Sequence, residues 1–135
     1  MNKLYSILVI GILILSSCKQ NDKIILTDPI ESGRGFIESS LKGDYDQAKK
    51  YMLQDSINND FLDRLKDVYN TKMSQSEKDG LKNANIIINS TDNVSDSVQV
   101  INYSNTFRKV PDKIKVIKRN NEWRVDFKYT FSGNM

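Results

Sequence analysis

The residue types that perform most enzyme chemistry are scarce in this chain. It contains no histidine and a single cysteine, Cys18, among 135 residues. This excludes histidine-based triads, imidazole metal ligands and internal disulfides. Gly33 and Gly35 lack the third glycine and the preceding strand of a dinucleotide fingerprint. The sequence therefore predicts no metal, no cofactor and no catalytic residue, and it leaves Cys18 as the residue with the most specific chemistry.

Cys18 follows a segment that is typical of a secretory signal. Lys3 supplies positive charge, and Leu4 to Leu15 is an apolar run of about a dozen residues, shorter than the ~20 that span a bilayer. Residues 15–18, Leu-Ser-Ser-Cys, resemble the lipobox of bacterial lipoproteins. The resemblance implies cleavage between Ser17 and Cys18 and attachment of palmitate-type acyl chains to Cys18. The alternative is an ordinary secreted protein with one spare cysteine.

These features divide the chain into three expected segments. Residues 1–17 are the signal peptide, residues 18–27 a lipidated tether, and residues 28–135 a single domain, large enough for one core without disulfides. Within the tether, the apolar residues 24–26 are expected to dock on the domain as a short edge segment. Lys19 is no obvious inner-membrane retention signal, which favours the outer membrane of a bacterial cell envelope. The net charge of +3 does not indicate a nucleic-acid partner.

The first half of the domain has the pattern of helices. Asp28, followed by proline, predicts a helix start. Gly43 predicts a left-handed helix end and Asp44 the next start. A third helix is expected over roughly Ser56–Asn70, where apolar residues recur at helical spacing. A last short helical turn is expected to end at Gly80.

The hydrophobic period then changes from 3.6 to 2, which indicates strands. Strands are expected over residues 85–90, 96–103, 113–118 and 122–131, with a polar turn over 91–95 and a two-residue hairpin turn at Asn120-Asn121. Helices followed by hairpin-connected strands predict an α+β fold. In it, N-terminal helices pack on one face of a curved antiparallel sheet of about four strands.

Two further motifs carry a family resemblance. Residues 36–51 read F-x4-L-x-GDY-x2-A-x2-Y, and residues 121–126 read NEWRVD. Together with the lipobox, they resemble small bacterial lipoproteins of unknown function with a nuclear-transport-factor-2-like, or cystatin-like, fold. The resemblance implies a cone-shaped domain with a pocket between helices and sheet. The side chains expected either to line that pocket or to fill the space as core aromatics are Phe36, Tyr45, Tyr51, Phe61, Trp123 and Phe127.

The absence of a reactive constellation favours a non-catalytic module that binds an unknown protein or small-molecule ligand. The membrane would be reached through the lipid on Cys18, and a homodimer could form through the sheet. The alternative is an isomerase or dehydratase, which needs a buried carboxylate and a tyrosine donor. Tyr51, Tyr69, Tyr103 and Asp126 are the candidates. Asp126 alternates out of phase with the apolar face, so it is expected to point to solvent.

Basic side chains are also expected on the outer face of the sheet. They could meet anionic lipid head groups or an acidic partner, for example as an accessory subunit, inhibitor or immunity-type factor. The favoured interpretation is a solvated strand face that resists aggregation. These residues are Lys113, Lys115, Lys118, Arg119, Arg124 and Lys128.

Overall fold

Helices come first and strands follow, as the sequence pattern predicts. The computed structural model describes residues 24–132. Within that range the fold is α+β, with four helices packed against a four-stranded antiparallel sheet. The elements are α1 Pro29–Leu41, α2 Tyr45–Tyr51, α3 Ser56–Thr71, α4 Gln75–Lys82, β1 Ile86–Ser95, β2 Val98–Asn105, β3 Asp112–Arg119, β4 Glu122–Asp126 and a 3₁₀ helix Phe127–Phe131.

Each helix begins at a side chain that caps it. The carboxylates of Asp28, Asp44 and Asp55 accept hydrogen bonds from backbone N–H groups three residues on, at 2.9, 3.0 and 2.9 Å. Ser74 and Glu77 form a reciprocal capping box at the start of α4. These bonds satisfy N–H groups that a helix leaves unpaired at its first turn. The predicted starts of α1 and α2 are therefore confirmed.

The sheet is a simple meander of antiparallel strands in the order β1-β2-β3-β4. Asn120 and Asn121 make the tight turn between β3 and β4 with φ of 51° and 62°, which confirms the predicted hairpin. The far edge of β4 is partly covered, because Leu53 N donates to Val125 O at 2.9 Å. The fold therefore leaves β1 as the open edge of the described sheet.

Two predicted boundaries in this region are wrong. Residues 91–95 belong to β1, where Thr91 pairs with Ile101 and Asp92 with Val100, and the chain reverses at 96–97 instead. Polar side chains are tolerated there because β1 is an edge strand whose side chains face solvent. Gly80 does not end α4, since the helix continues to Lys82 and buries Leu81.

The last predicted strand is also too long. It ends at Asp126, and residues 127–131 turn into the 3₁₀ helix. Asn58 of α3 explains the change, because its Oδ1 accepts the backbone N–H of Lys128 at 2.8 Å. The helical turn still directs Phe127 and Phe131 towards each other, with ring centroids 5.0 Å apart.

The core forms where α1 crosses the inner face of the sheet. Ile101, Ile114, Val116 and Val125 are fully buried there, and each such side chain stabilises the fold by about 1.5–3 kcal/mol. Gly33 allows the close approach, since a Cβ atom at this position would lie 2.6 Å from Cδ1 of Ile101.

The outer face of the sheet carries only part of the predicted basic set. Cross-strand pairing places Lys115 opposite Asp126 and Ile117 opposite Arg124 on that face. Lys118 pairs with Trp123 on the inner side and lies 5.9 Å from its ring centroid. Lys128 lies in the 3₁₀ helix. The predicted single basic face is therefore wrong for Lys118, whereas Lys128 reaches that face from the 3₁₀ helix through its ion pair with Asp126.

The chain before α1 is docked on the domain. Trp123 N donates to Leu26 O at 2.7 Å, and Ile24 and Leu26 pack against the core. The predicted edge segment is thus present. Among residues 24–132, no helix combines the length and apolar character needed to cross a membrane.

Candidate functional site

A cavity lies between the helices and one end of the sheet, and it is the best candidate for a binding site. Its volume is about 340 Å³, at the lower end of the ~300–1,000 Å³ range of small-molecule sites. We call it the helix–sheet cavity. It is lined by Phe36, Ile37, Ser40, Leu41, Tyr45, Leu65, Tyr69, Met73, Leu81, Tyr103, Asn105, Arg108, Val110, Pro111, Asp112, Phe127, Thr130 and Phe131.

The closed end of the helix–sheet cavity is aromatic and aliphatic. Phe36 of α1 packs against Phe127 with ring centroids 4.9 Å apart. Thr130 Oγ1 donates to Lys113 O at 2.9 Å, which holds the 3₁₀ helix along β3. Helical spacing along α1 brings Phe36 and Ser40 to the same side of the helix. The walls therefore come from elements that are far apart in sequence and are fixed by core packing.

The exposed lining residues form the mouth of the cavity, and all but Phe131 lie in the loop between β2 and β3 or at the first residue of β3. The Asn105 side chain shapes this loop, because its Oδ1 accepts the backbone N–H groups of Phe107 and Arg108 at 3.1 and 2.8 Å. The ring of Phe107 lies against Gly80 of α4, where a Cβ atom would overlap it. Arg108 and Asp112 thereby lie on opposite parts of one ordered loop beside the apolar cavity.

Phenol groups surround the polar part of the helix–sheet cavity. Burial raises the pKa of Tyr45 to about 12, with Tyr69 adding to the rise and the positive charge of Arg108 opposing it. Burial also raises the pKa of Tyr103, whose hydroxyl donates to Asp112 Oδ2 at 3.5 Å. These phenols are therefore neutral hydrogen-bond donors at neutral pH.

The structure brings together only half of the predicted pocket residues. Phe36, Tyr45 and Phe127 line the helix–sheet cavity. Tyr51 packs beneath Gly35, where a Cβ atom would overlap its ring. Neither Phe61 nor Trp123 lines it, although Phe61 stacks on the cavity residue Phe131 with ring centroids 4.6 Å apart.

Sequence reasoning missed Arg108 as a cavity residue. It lies in a loop without hydrophobic periodicity, and its place depends on the Asn105 side chain. Tyr69 and Tyr103, which the sequence suggests as acid–base candidates, also line the cavity. Their positions on apolar faces were the available signal, but periodicity does not distinguish a core residue from a cavity wall.

A second polar feature, the Asp126 cluster, comprises Asp55, Asn58, Lys115, Asp126 and Lys128. Asp126 is 3 % exposed, so the prediction that it points to solvent is wrong. Strand alternation does place it on the outer face, opposite Lys115, but Asn58 and the two lysines cover it there. Its carboxylate accepts from Lys128 Nζ at 2.9 Å and Asn58 Nδ2 at 3.1 Å, and it lies 3.3 Å from Lys115 Nζ.

The protonation state of Asp126 follows from these partners. Burial alone would raise its pKa, but the hydrogen bonds from Lys128 and Asn58, the charge of Lys128 and the hydrogen bond from Lys115 together lower the pKa below 3.8. Asp126 is therefore ionised, and the positive charges of Lys115 and Lys128 balance its negative charge. It ties α3 to the end of β4, and it does not line the helix–sheet cavity.

Other hollows are less suited to a ligand. A hollow of about 290 Å³ beside Asp126 is bordered by Phe61, Lys115 and Tyr129, and Lys115 Nζ lies 4.9 Å from the Tyr129 ring centroid. A shallow groove of about 590 Å³ near Leu26 is bordered largely by charged side chains. Among residues 24–132, no cluster of three or more acidic, cysteine or histidine side chains could hold a metal.

The predicted lipidation residue Cys18 and its neighbour Ser17 lie outside the described residues. Comparison of the chain with protein-family models, with curated proteins and with solved structures gives no match.

Proposed function

We propose that this chain is a bacterial envelope lipoprotein that binds a small, mainly apolar ligand in the helix–sheet cavity without catalysing a reaction. The anchor would be the acylated Cys18, and the domain would be a small nuclear-transport-factor-2-like, or cystatin-like, module. The observation that carries the binding role is the cavity itself, about 340 Å³ with apolar walls and a polar mouth.

The lipoprotein part of the proposal depends on sequence pattern. The only cysteine follows an apolar run and two small residues at lipobox spacing. More than one acyl chain is needed for stable anchoring. Since Ile24 and Leu26 already contact the core, the tether would comprise residues 18–23, which can reach at most ~20 Å when extended.

The alternative, an isomerase or dehydratase, requires a carboxylate of raised pKa in an apolar cavity. The described carboxylate that lines the helix–sheet cavity is Asp112, which is exposed. The buried carboxylate, Asp126, has a lowered pKa and faces two lysines. Neither fits that requirement, which favours the non-catalytic role.

Ligand binding can be tested with N-phenyl-1-naphthylamine, an uncharged apolar probe that fluoresces when it leaves water. We expect wild-type protein to bind it and Ser40→Met to weaken binding by about ten-fold or more. The methionine side chain would occupy the space of a few ligand methylene groups. Each buried methylene group contributes ~0.8 kcal/mol to the free energy of binding. Ser40 lies on the cavity wall, and its hydroxyl donates to the Phe36 carbonyl of its own helix, so α1 should persist without it.

Ser76→Met is the matched control, because Ser76 is an exposed helical serine outside the cavity. Thermal unfolding of both variants verifies that they are folded. Equal probe binding by wild type, Ser40→Met and Ser76→Met, or no binding by wild type, would count against the cavity as a ligand site.

A further inference from the structure

The guanidinium of Arg108 is an unmatched cation at the mouth of the helix–sheet cavity. The residue lines the cavity and is exposed. Its backbone is held by Asn105, but its side chain makes no hydrogen bond or ion pair to any residue in the range 24–132. A guanidinium carries five N–H donors in a planar arrangement that suits a carboxylate or phosphate.

Two acidic groups that could pair with Arg108, Glu77 and Asp112, already accept hydrogen bonds. Its charge reaches Glu77, where it lowers that pKa slightly after the larger effect of the bonds from Ser74. Glu77 is occupied by the Ser74 capping box. Asp112 accepts from Lys113 N at 2.8 Å and from the Tyr103 hydroxyl at 3.5 Å. Both carboxylates thus already accept hydrogen bonds from this chain, whereas the Arg108 guanidinium donates none within residues 24–132.

Tyr45 adds a second donor on the same cavity. Its hydroxyl makes no hydrogen bond to another residue of the described range, and burial raises its pKa to about 12, so it keeps its proton. Arg108 lies within electrostatic reach, since its charge opposes that rise. Two donors, one charged and one neutral, therefore border an apolar space.

We infer that the ligand is an amphiphilic anion, with a carboxylate or similar head bound by Arg108 and the Tyr45 hydroxyl and an apolar body inside the cavity. This inference rests on the proposed ligand-binding function. A cationic head is disfavoured, because Asp112, the carboxylate that lines the cavity, already accepts two hydrogen bonds, whereas the Arg108 guanidinium has no partner within residues 24–132. Charge-assisted bonds to a guanidinium supply both affinity and orientation.

The test compares decanoate with decan-1-ol, which has the same chain and no charge, by displacement of N-phenyl-1-naphthylamine. We expect wild-type protein to bind decanoate at least about ten-fold more tightly than decan-1-ol. Arg108→Gln should remove most of that preference and leave decan-1-ol binding unchanged. Lys109→Gln is the matched control, because it removes an equal charge from the next residue, which does not line the cavity.

Three outcomes would overturn the inference. Equal affinity for decanoate and decan-1-ol would show that the protein does not recognise the charged head group. An equal loss in Arg108→Gln and Lys109→Gln would show only a general charge effect. Both results leave the cavity as an apolar ligand site, whereas failure of both compounds and of the probe to bind would overturn the proposed function itself.

Discussion

At the scale of single residues, strand alternation predicts the face of a side chain but not its burial. Asp126 lies on the outer face of the sheet, as alternation requires, yet its carboxylate is almost completely covered. Asn58, which is fully buried, donates to Asp126 and to Asp55 and accepts from Lys128 N. Because Asn58 is 68 positions away from Asp126, this cover follows from tertiary packing alone.

The Asp126 cluster makes stability depend on acidity. The pKa of Asp126 is lowered in the folded protein, so its contribution is present above the unfolded value of 3.8 and disappears as the pH falls through the lowered folded value. The pKa of Asp55 is lowered too, mainly by the backbone N–H of Asn58. The hydrogen bond to Asp126 raises the pKa of Lys128, and this is the same interaction seen from the other partner.

We predict that Asp126→Asn lowers the free energy of unfolding at pH 7 by about 1–3 kcal/mol, because buried hydrogen bonds to charged groups are lost. The loss of stability between pH 7 and pH 3 should be smaller in the variant than in wild type. Urea unfolding at both pH values measures both effects. Asp92→Asn, at an exposed position of β1, is the control, and equal behaviour of the two variants would contradict the role of the cluster.

At the scale of elements, two glycines of α1 place that helix against its neighbours. Gly33 and Gly35 each cost helix stability of about 1 kcal/mol relative to alanine. A Cβ atom on Gly33 would lie 2.6 and 3.1 Å from Cδ1 of Ile101 and Ile114, and one on Gly35 would overlap the Tyr51 ring. The glycines therefore permit close packing of α1 on the sheet and on α2.

We predict opposite effects of the same substitution at two helical glycines. Gly33→Ala should lower the free energy of unfolding by about 1–3 kcal/mol, since its neighbours are fully buried and cannot move freely. Gly80→Ala should be neutral or stabilise by up to ~1 kcal/mol, because the atoms nearest to the new Cβ all belong to Phe107, a half-exposed loop side chain that can move aside. Chemical denaturation measures both, and a stabilised Gly33→Ala would contradict the close-packing argument.

At the scale of the molecule, α1 runs from the docked segment around Leu26 to the helix–sheet cavity. Its first residues follow the docked segment around Leu26, whereas Phe36, Ser40 and Leu41 border the helix–sheet cavity. Thirteen residues of α-helix measure about 20 Å. In the proposed lipoprotein, the anchor would thus adjoin one end of α1 and the cavity the other, which leaves the mouth free to receive a ligand.

We predict that wild-type protein made in a Gram-negative bacterium partitions with the membranes and that Cys18→Ser moves to the soluble fraction. A serine hydroxyl cannot form the thioether to the lipid. Ser17→Ala is the control, since alanine keeps a small residue before Cys18. Detergent-phase partition and intact mass are the measurements. Wild-type protein without added acyl mass would refute the anchor.

The sequence by itself determined the local structure of this protein. Asp28 and Asp44 cap helices because their carboxylates reach N–H groups three residues away, and Asn120-Asn121 make a hairpin turn because asparagine tolerates positive φ. The α+β class followed from the order of the two hydrophobic periods. Each of these signals lies within a few residues of the structure it specifies.

Only the tertiary structure decided which side chains meet. The 3₁₀ helix in place of a longer β4 depends on Asn58, from another element. The placement of Arg108 and Tyr45 on one cavity depends on how the loop between β2 and β3 lies against the helices, and Trp123 lies away from the cavity because β4 places it beside Leu26. These contacts join residues tens of positions apart, and hydrophobic periodicity specifies the buried face of an element but not the neighbour that covers it.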